Sequence, residues 1–187
     1  MPPKIKITKE DIINTAIALV RKDGARSINA RSVASFLNCS TQPVFSNFKT
    51  MDELHQAVIE KAFFICKEYM EREVQKCEYP VYKAYGMAYI KFAKDEKELF
   101  KLLYMRDRSG ESYEDNTGLF DQMIGLAQEN AEIDADTAQL FHLEIWAFVH
   151  GIASMCATGY LELDKEFASK MVTDVYQGLK KRHKMGE

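Results

Sequence analysis

Apolar residues recur at intervals of three and four along most of this chain, the spacing that gathers them on one face of an α-helix. Ile12, Ile13, Ala16, Ile17, Leu19 and Val20 keep that spacing until Gly24. Thr8, followed three residues later by Asp11, has the form of a capping box, so a first helix is predicted over Lys9–Asp23. Asn29 is placed to cap a short second helix with the apolar face Val33, Ala34 and Leu37. That helix is expected to stop at Asn38, a residue that tolerates the left-handed conformation used at helix ends. Ser40 is placed to cap a third short helix, about residues 41–48, with Pro43 in the first turn, where its missing N–H would have had no helical partner. From Met51 the series Leu54, Val58, Ala62, Ile65 and Tyr69 predicts a long helix ending before Pro80.

Beyond Pro80, Tyr82, Tyr85, Tyr89 and Phe92 make an aromatic face, and Leu99, Phe100, Leu102, Leu103 and Tyr104 a second helical cluster. The polar stretch MRDRSGESYEDN reads as a loop. Helices are then expected over about residues 117–130, 135–160 and 164–181. Nothing reads as a hairpin and there is no internal repeat. The expected fold class is all-α.

Composition narrows this picture. The 187 residues can form one large domain or a small module joined to a larger one. The net charge of −3 argues against a general nucleic-acid coat, but it is unevenly spread. Residues 1–50 carry eight Lys and Arg against three Asp and Glu, a net +5, which leaves −8 for the remainder. A basic front on an acidic body fits a front that meets a polyanion, and fits equally a solvated basic face. Cys39, Cys66, Cys77 and Cys156 are scattered without a CxxC pair, as expected of reduced, buried thiols in a cytoplasmic protein. The first residues lack the apolar core of a secretory signal. The most apolar run, IWAFVHGIASMCATGYL over residues 145–161, contains His150 and many small residues. It reads as a core or interface helix rather than a membrane span.

Helix, short turn, helix is the geometry of the helix-turn-helix DNA reader, whose second helix enters the major groove. Asn38 and Ser40 would set the turn and Val44 and Phe48 anchor the reading helix on the first helix. Thr41, Gln42, Ser46 and Asn47 are then left to face DNA. Gln and Asn suit bidentate contact with adenine, and Thr can pack its methyl on thymine.

These residues resemble the TetR family of bacterial transcriptional regulators. The likeness is carried by Ile12, Ala16, Gly24, the run Asn29-Ala30-Arg31-Ser32-Val33-Ala34, then Leu37, Ser40, Phe45, Phe48 and Leu54. The segments Tyr89-Ile90-Lys91-Phe92-Ala93 and Trp146-Ala147-Phe148-Val149-His150-Gly151 look like segments found in many members. The resemblance implies an all-helical homodimer with an N-terminal three-helix DNA-binding domain, residues 1–50. A larger effector-binding and dimerisation bundle, residues 51–187, would follow. It further implies repression of a palindromic double-stranded DNA operator, relieved by a small-molecule effector. The expected DNA contacts are Arg31, Ser40, Thr41, Gln42, Phe45, Ser46, Asn47 and Lys49. At positions where the family commonly has a turn Gly, a phosphate-binding Tyr, a His and a Lys, this chain has Asn38, Phe45, Asn47 and Met51. Fewer ionic contacts with DNA are therefore expected.

For the effector, Tyr89, Phe92, Phe100, Tyr104, Phe120, Met123, Trp146 and His150 are the candidate lining, although aromatic stripes at helical spacing also make ordinary core. The residues around Gly151 and Ala157, with Val172, Val175, Tyr176 and Leu179, are candidates for a four-helix dimer seam or for packing within one subunit. Asp52 and His55 form a single carboxylate-His pair, and no HExxH, Walker loop or GxGxxG is present. No catalytic constellation, metal site or cofactor is therefore expected. A helical binding protein that no longer reads DNA remains the alternative to a regulator.

Overall fold

A computed structural model describes residues 7–109 and 118–185. Lys4, Lys6 and residues 110–117 of the expected loop lie outside the described residues. The described residues hold α1 (Lys9–Asp23), α2 (Ala30–Phe36), α3 (Gln42–Asn47), α4 (Met51–Gln75) and α5 (Val81–Asp95). They continue with α6 (Lys97–Tyr104), α7 (Leu119–Ala131), α8 (Ala135–Ala157) and α9 (Lys165–Met185), with one 3-10 turn at Ala25–Ser27 and no strand. The fold is all-α, a helix-turn-helix followed by a helical bundle.

The chain forms two compact units. The first comprises residues 1–67 and 96–106, the second residues 68–95 and 107–187. α4 runs from one into the other, and α6 belongs with the first.

In the first unit, α1 packs against α2, α3 and α6. Ile12, Ala16 and Val20 are fully buried, as are Val33, Val44, Leu54, Leu99 and Phe100. The capping box at α1 forms in both directions, the Thr8 hydroxyl accepting from the Asp11 N–H and the Asp11 carboxylate accepting from the Thr8 N–H. Arg21 holds Glu96 through two bonds of 2.8 and 2.6 Å, tying the end of α1 to the start of α6.

In the second unit, α8 packs against α5, α7 and α9. Phe92, Phe141, Ala127, Ala131 and Ala138 are fully buried. α8 is long and apolar enough to cross a membrane, yet 44% of its most apolar stretch is buried within the chain, where it serves as a core helix. Gly86 of α5 faces Val149 of α8, where a Cβ would stand in ordinary contact at 3.6 Å.

Several details depart from the sequence expectation, among them α9, which runs on to Met185, and Cys39, which is half-buried. Ser40 does not cap α3. The helix starts after Thr41, which lies in the right-handed region with no side-chain capping bond, its carbonyl accepting from Val44 and Phe45. Cys77 is exposed rather than buried, because the chain takes a left-handed turn there (φ 52°) just after α4 stops at Gln75. α8 ends at Ala157 rather than near residue 160, where the Tyr160 N–H turns back to the Met155 carbonyl.

Candidate nucleic-acid interface and effector site

The turn between α2 and α3 follows from three residues. Asn29 caps α2, its side chain accepting from the Ser32 N–H at 2.9 Å. Asn38 adopts φ 51°, and the Cys39 N–H reaches back to the Ala34 carbonyl at 2.9 Å, closing the helix end. Pro43 sits in the first turn of α3. Val44 and Phe48, both buried, then hold α3 onto α1 within the first unit. Lys9 lies 4.9 Å over the Phe48 ring, an added cation–π contact.

The eight expected DNA contacts all fall on this segment of the first unit. Arg31, Ser40, Gln42, Phe45, Ser46 and Lys49 are exposed, and Thr41 and Asn47 half-buried. Their side chains are not equally available. The Ser46 hydroxyl donates to the Gln42 carbonyl at 2.9 Å, and the Asn47 amide donates to the Pro43 carbonyl at 2.8 Å. The Arg31 guanidinium and Lys49 ammonium make no ion pair among the described residues. The backbone N–H of Lys49 is taken by the Glu53 carboxylate at 2.7 Å, while the Thr50 hydroxyl accepts from the Glu53 N–H at 3.2 Å. This carboxylate at the start of α4 bears on any phosphate contact there. The Thr50-x-x-Glu53 spacing in the sequence is the signal that marks it.

The eight effector candidates divide between the units. Phe100 and Tyr104 lie on α6 in the first, their rings 5.1 Å apart, with the Tyr104 hydroxyl 3.7 Å from the Cys66 sulfur. Burial pushes the Cys66 thiol up to about 12, so it is inert. The other six belong to the second unit. There the Tyr89 hydroxyl bonds His150 Nδ1 at 2.9 Å, Ser154 bonds the other ring nitrogen at 3.3 Å, and Trp146 stacks on the imidazole at 5.3 Å. Phe92 is fully buried and meets the edge of Tyr69, and Met123 is buried. Phe120 packs on His142 at 5.4 Å.

His142 and Tyr82 form a second such pair, sharing a bond of 3.0 Å at Nδ1. Burial lowers the His142 pKa to about 4 and lowers that of His150 as well, so both rings are neutral near pH 7. The spacing of seven from Tyr82 to Tyr89 on α5 and of eight from His142 to His150 on α8 could have revealed this repeat. Two concavities, of 190 and 370 Å³, lie elsewhere. The smaller lies in the second unit beside Glu73, Lys76, Lys91 and Lys94, the larger in the first beside Asp23, Arg26, Glu98 and Lys101. None of the eight candidates lines either one.

Residues 82–175 match the family described as Tetracyclin repressor-like, C-terminal domain. No curated protein sequence matches the chain. Among solved structures, a TetR-like transcriptional regulator from Rhodococcus sp. RHA1 is similar over 100% of both chains, with a TM-score of 0.69 at 14% identity. A protein of unknown function from the same organism has a TM-score of 0.74 at 22% identity, over 96% of this chain and 100% of its own. A TetR family member from Streptomyces coelicolor A3 has a TM-score of 0.65 at 18% identity, over 89% and 96%. At these identities the structures speak for the shared fold. The family match covers half of the chain, in the helices that carry both Tyr-His pairs, and on it the chain belongs to the TetR family of transcriptional regulators.

Proposed function

We propose that the protein is a cytoplasmic repressor that binds a palindromic DNA operator as a homodimer and leaves it when a small molecule binds. In this reading residues 1–50 read DNA and residues 51–187 bind the effector and dimerise. The observation that carries it is the α2–turn–α3 surface, where Arg31, Gln42 and Lys49 stand exposed with uncommitted polar groups beside a rigidly anchored α3. Two such surfaces in a two-fold dimer would meet half-sites about 34–36 Å apart. The outward side of α8 and α9, with Leu140 and Phe167 more than half exposed, supplies apolar surface for the second copy.

The effector would enter near the Tyr89–His150–Ser154 chain, where a neutral imidazole can exchange one protein partner for a ligand donor or acceptor. Release requires that the ligand favour the dimer that cannot span the operator. Catalysis is not part of the proposal, since TetR-like regulators are generally not enzymes.

Footprinting of the purified protein on the DNA flanking its own gene tests this reading, with an inverted repeat as the expected protected site. In salt titrations Lys49→Ala should lower the slope of log K against log salt by about 0.9, one phosphate contact. A second reading, a ligand- or partner-binding protein without DNA reading, is favoured by Asp52 and Glu53 at the start of α4, which repel phosphate. Absence of any protected sequence at low salt without ligand would select it.

A further inference from the structure

The side chains of α3 and its flanks divide into three sets. Val44 and Phe48 are buried and fix the helix on its own unit. Ser46 and Asn47 have each spent a donor on a carbonyl one turn back in the same helix. Thr41, Gln42 and Phe45 are uncommitted. The Thr41 hydroxyl makes no capping bond, and the Gln42 carboxamide makes no hydrogen bond among the described residues. The Phe45 ring is 52% exposed with no ring partner. At about 100° per residue, positions 41, 42 and 45 fall within one arc of roughly 100°, to one side of the buried line through Val44 and Phe48.

That arc presents an amide, a methyl-bearing hydroxyl and an aromatic ring. A carboxamide pairs bidentately with N6 and N7 of adenine, and an aromatic ring or Thr methyl packs on the 5-methyl group of thymine. None of the three carries the cationic donors that most often read guanine. Resting on the DNA-reading assignment above, we propose that each half-site is read through an A·T step, Gln42 on adenine and Phe45 on the 5-methyl group of a neighbouring thymine. The ring then supplies sequence preference at a position where the family's Tyr would supply a hydroxyl to phosphate.

The full-length protein is taken through selection on a pool of randomised duplexes. The enriched sequence is resynthesised with single thymines replaced by deoxyuracil, which removes only the methyl, and single adenines by 7-deazaadenine, which removes the N7 acceptor. Binding is read by fluorescence anisotropy at fixed salt. One thymine per half-site should weaken wild-type binding about fourfold on conversion to uracil, the worth of one buried methyl. Phe45→Ala should bind both duplexes alike, Phe45→Leu should regain part of the preference, and Gln42→Ala should lose only the response to 7-deazaadenine.

Wild-type protein indifferent to every uracil, or Phe45→Ala with full discrimination, overturns the inference while DNA binding stands. Enrichment of no sequence overturns the DNA-reading assignment and this inference together. The wild-type comparison of the two duplexes needs no variant to fold.

Discussion

The helix-turn-helix segment of the first unit and the α5–α8 pair of the second are held by bonds of very different reach along the chain. Thr8 to Asp11, Asn29 to Ser32 and Lys49 to Glu53 span three or four residues. Tyr82 to His142 and Tyr89 to His150 span 60 and 61, and Lys83 reaches Ser169 and Thr173 across 86 and 90. The α2–turn–α3 surface is thus shaped by local rules. The second unit is shaped by pairings that form only once α5, α8 and α9 have met. A ligand that competes for one of those long-range bonds acts on the packing of whole helices, whereas a change in α3 alters only what the surface touches. The first unit has longer bonds too, from His55 to the Ile28 carbonyl over 27 residues, Cys66 to Tyr104 over 38 and Arg21 to Glu96 over 75, the last joining α6 to α1.

The largest test of this contrast is Phe141→Ala. The ring is fully buried, edge-on to Tyr176 and His183 and tilted on Tyr82, so it joins α8 to both α5 and α9. Its removal should cost about 3–5 kcal/mol in urea unfolding. The loss should appear as early hydrogen exchange in α8 and α9, with α2 protected as before.

Acid should separate the units next. His142 binds a proton in the unfolded chain near pH 6.5 and in the folded chain only near 4, so the unfolded state holds more protons between those values. Stability therefore falls as pH drops from about 6.5 to about 4, by at most about 1.4 kcal/mol per pH unit from this group. His150, shifted the same way by burial, adds to the slope. Urea midpoints across this range should fall less steeply for His142→Asn, which can still meet the Tyr82 hydroxyl. Equal slopes in the two proteins would remove His142 as the cause.

The same contrast explains how much could be read in advance. The bounds of α1, the Thr8 and Asn29 caps and the left-handed Asn38 were legible because each rests on neighbours within four residues. The buried Val44 and Phe48 followed from the same spacing. The aromatic stripes of α5 and α6 were legible as stripes, but not which unit each would join. Their partners lie tens of residues away, so Tyr104 beside Phe63 and Cys66, and Tyr89 beside His150, could not be told apart. Which donors of α3 are spent on its own carbonyls depends on rotamers, and spacing does not specify those.

A smaller effect is expected from Gly24→Ala. Gly24 ends α1 with φ 78° and ψ 175°, and a Cβ there would stand 3.0 Å from the Glu98 carboxylate. The backbone conformation alone should cost about 1–3 kcal/mol. Adding Glu98→Ala should recover the crowding part and leave the conformational part. Full recovery in the double variant, read by thermal unfolding, would mean that crowding was the whole cost.

The smallest expected change is also the sharpest test of local control. Asn29→Ala removes the side-chain cap at the start of α2 together with a longer bond to the Ser27 carbonyl, in a helix of seven residues where a single cap satisfies a large share of the free N–H groups. The cost should be about 1 kcal/mol. Because these bonds join neighbours only, the added exchange should appear at α2 amides such as Val33 and Ala34, and not in α8. Asn29→Ser, which offers a hydroxyl acceptor at the same place, should restore protection and operator affinity together. If Asn29→Ala loosens α8 as much as α2, the helix-turn-helix is not locally governed, and a substitution on its surface would reach the second unit without any ligand.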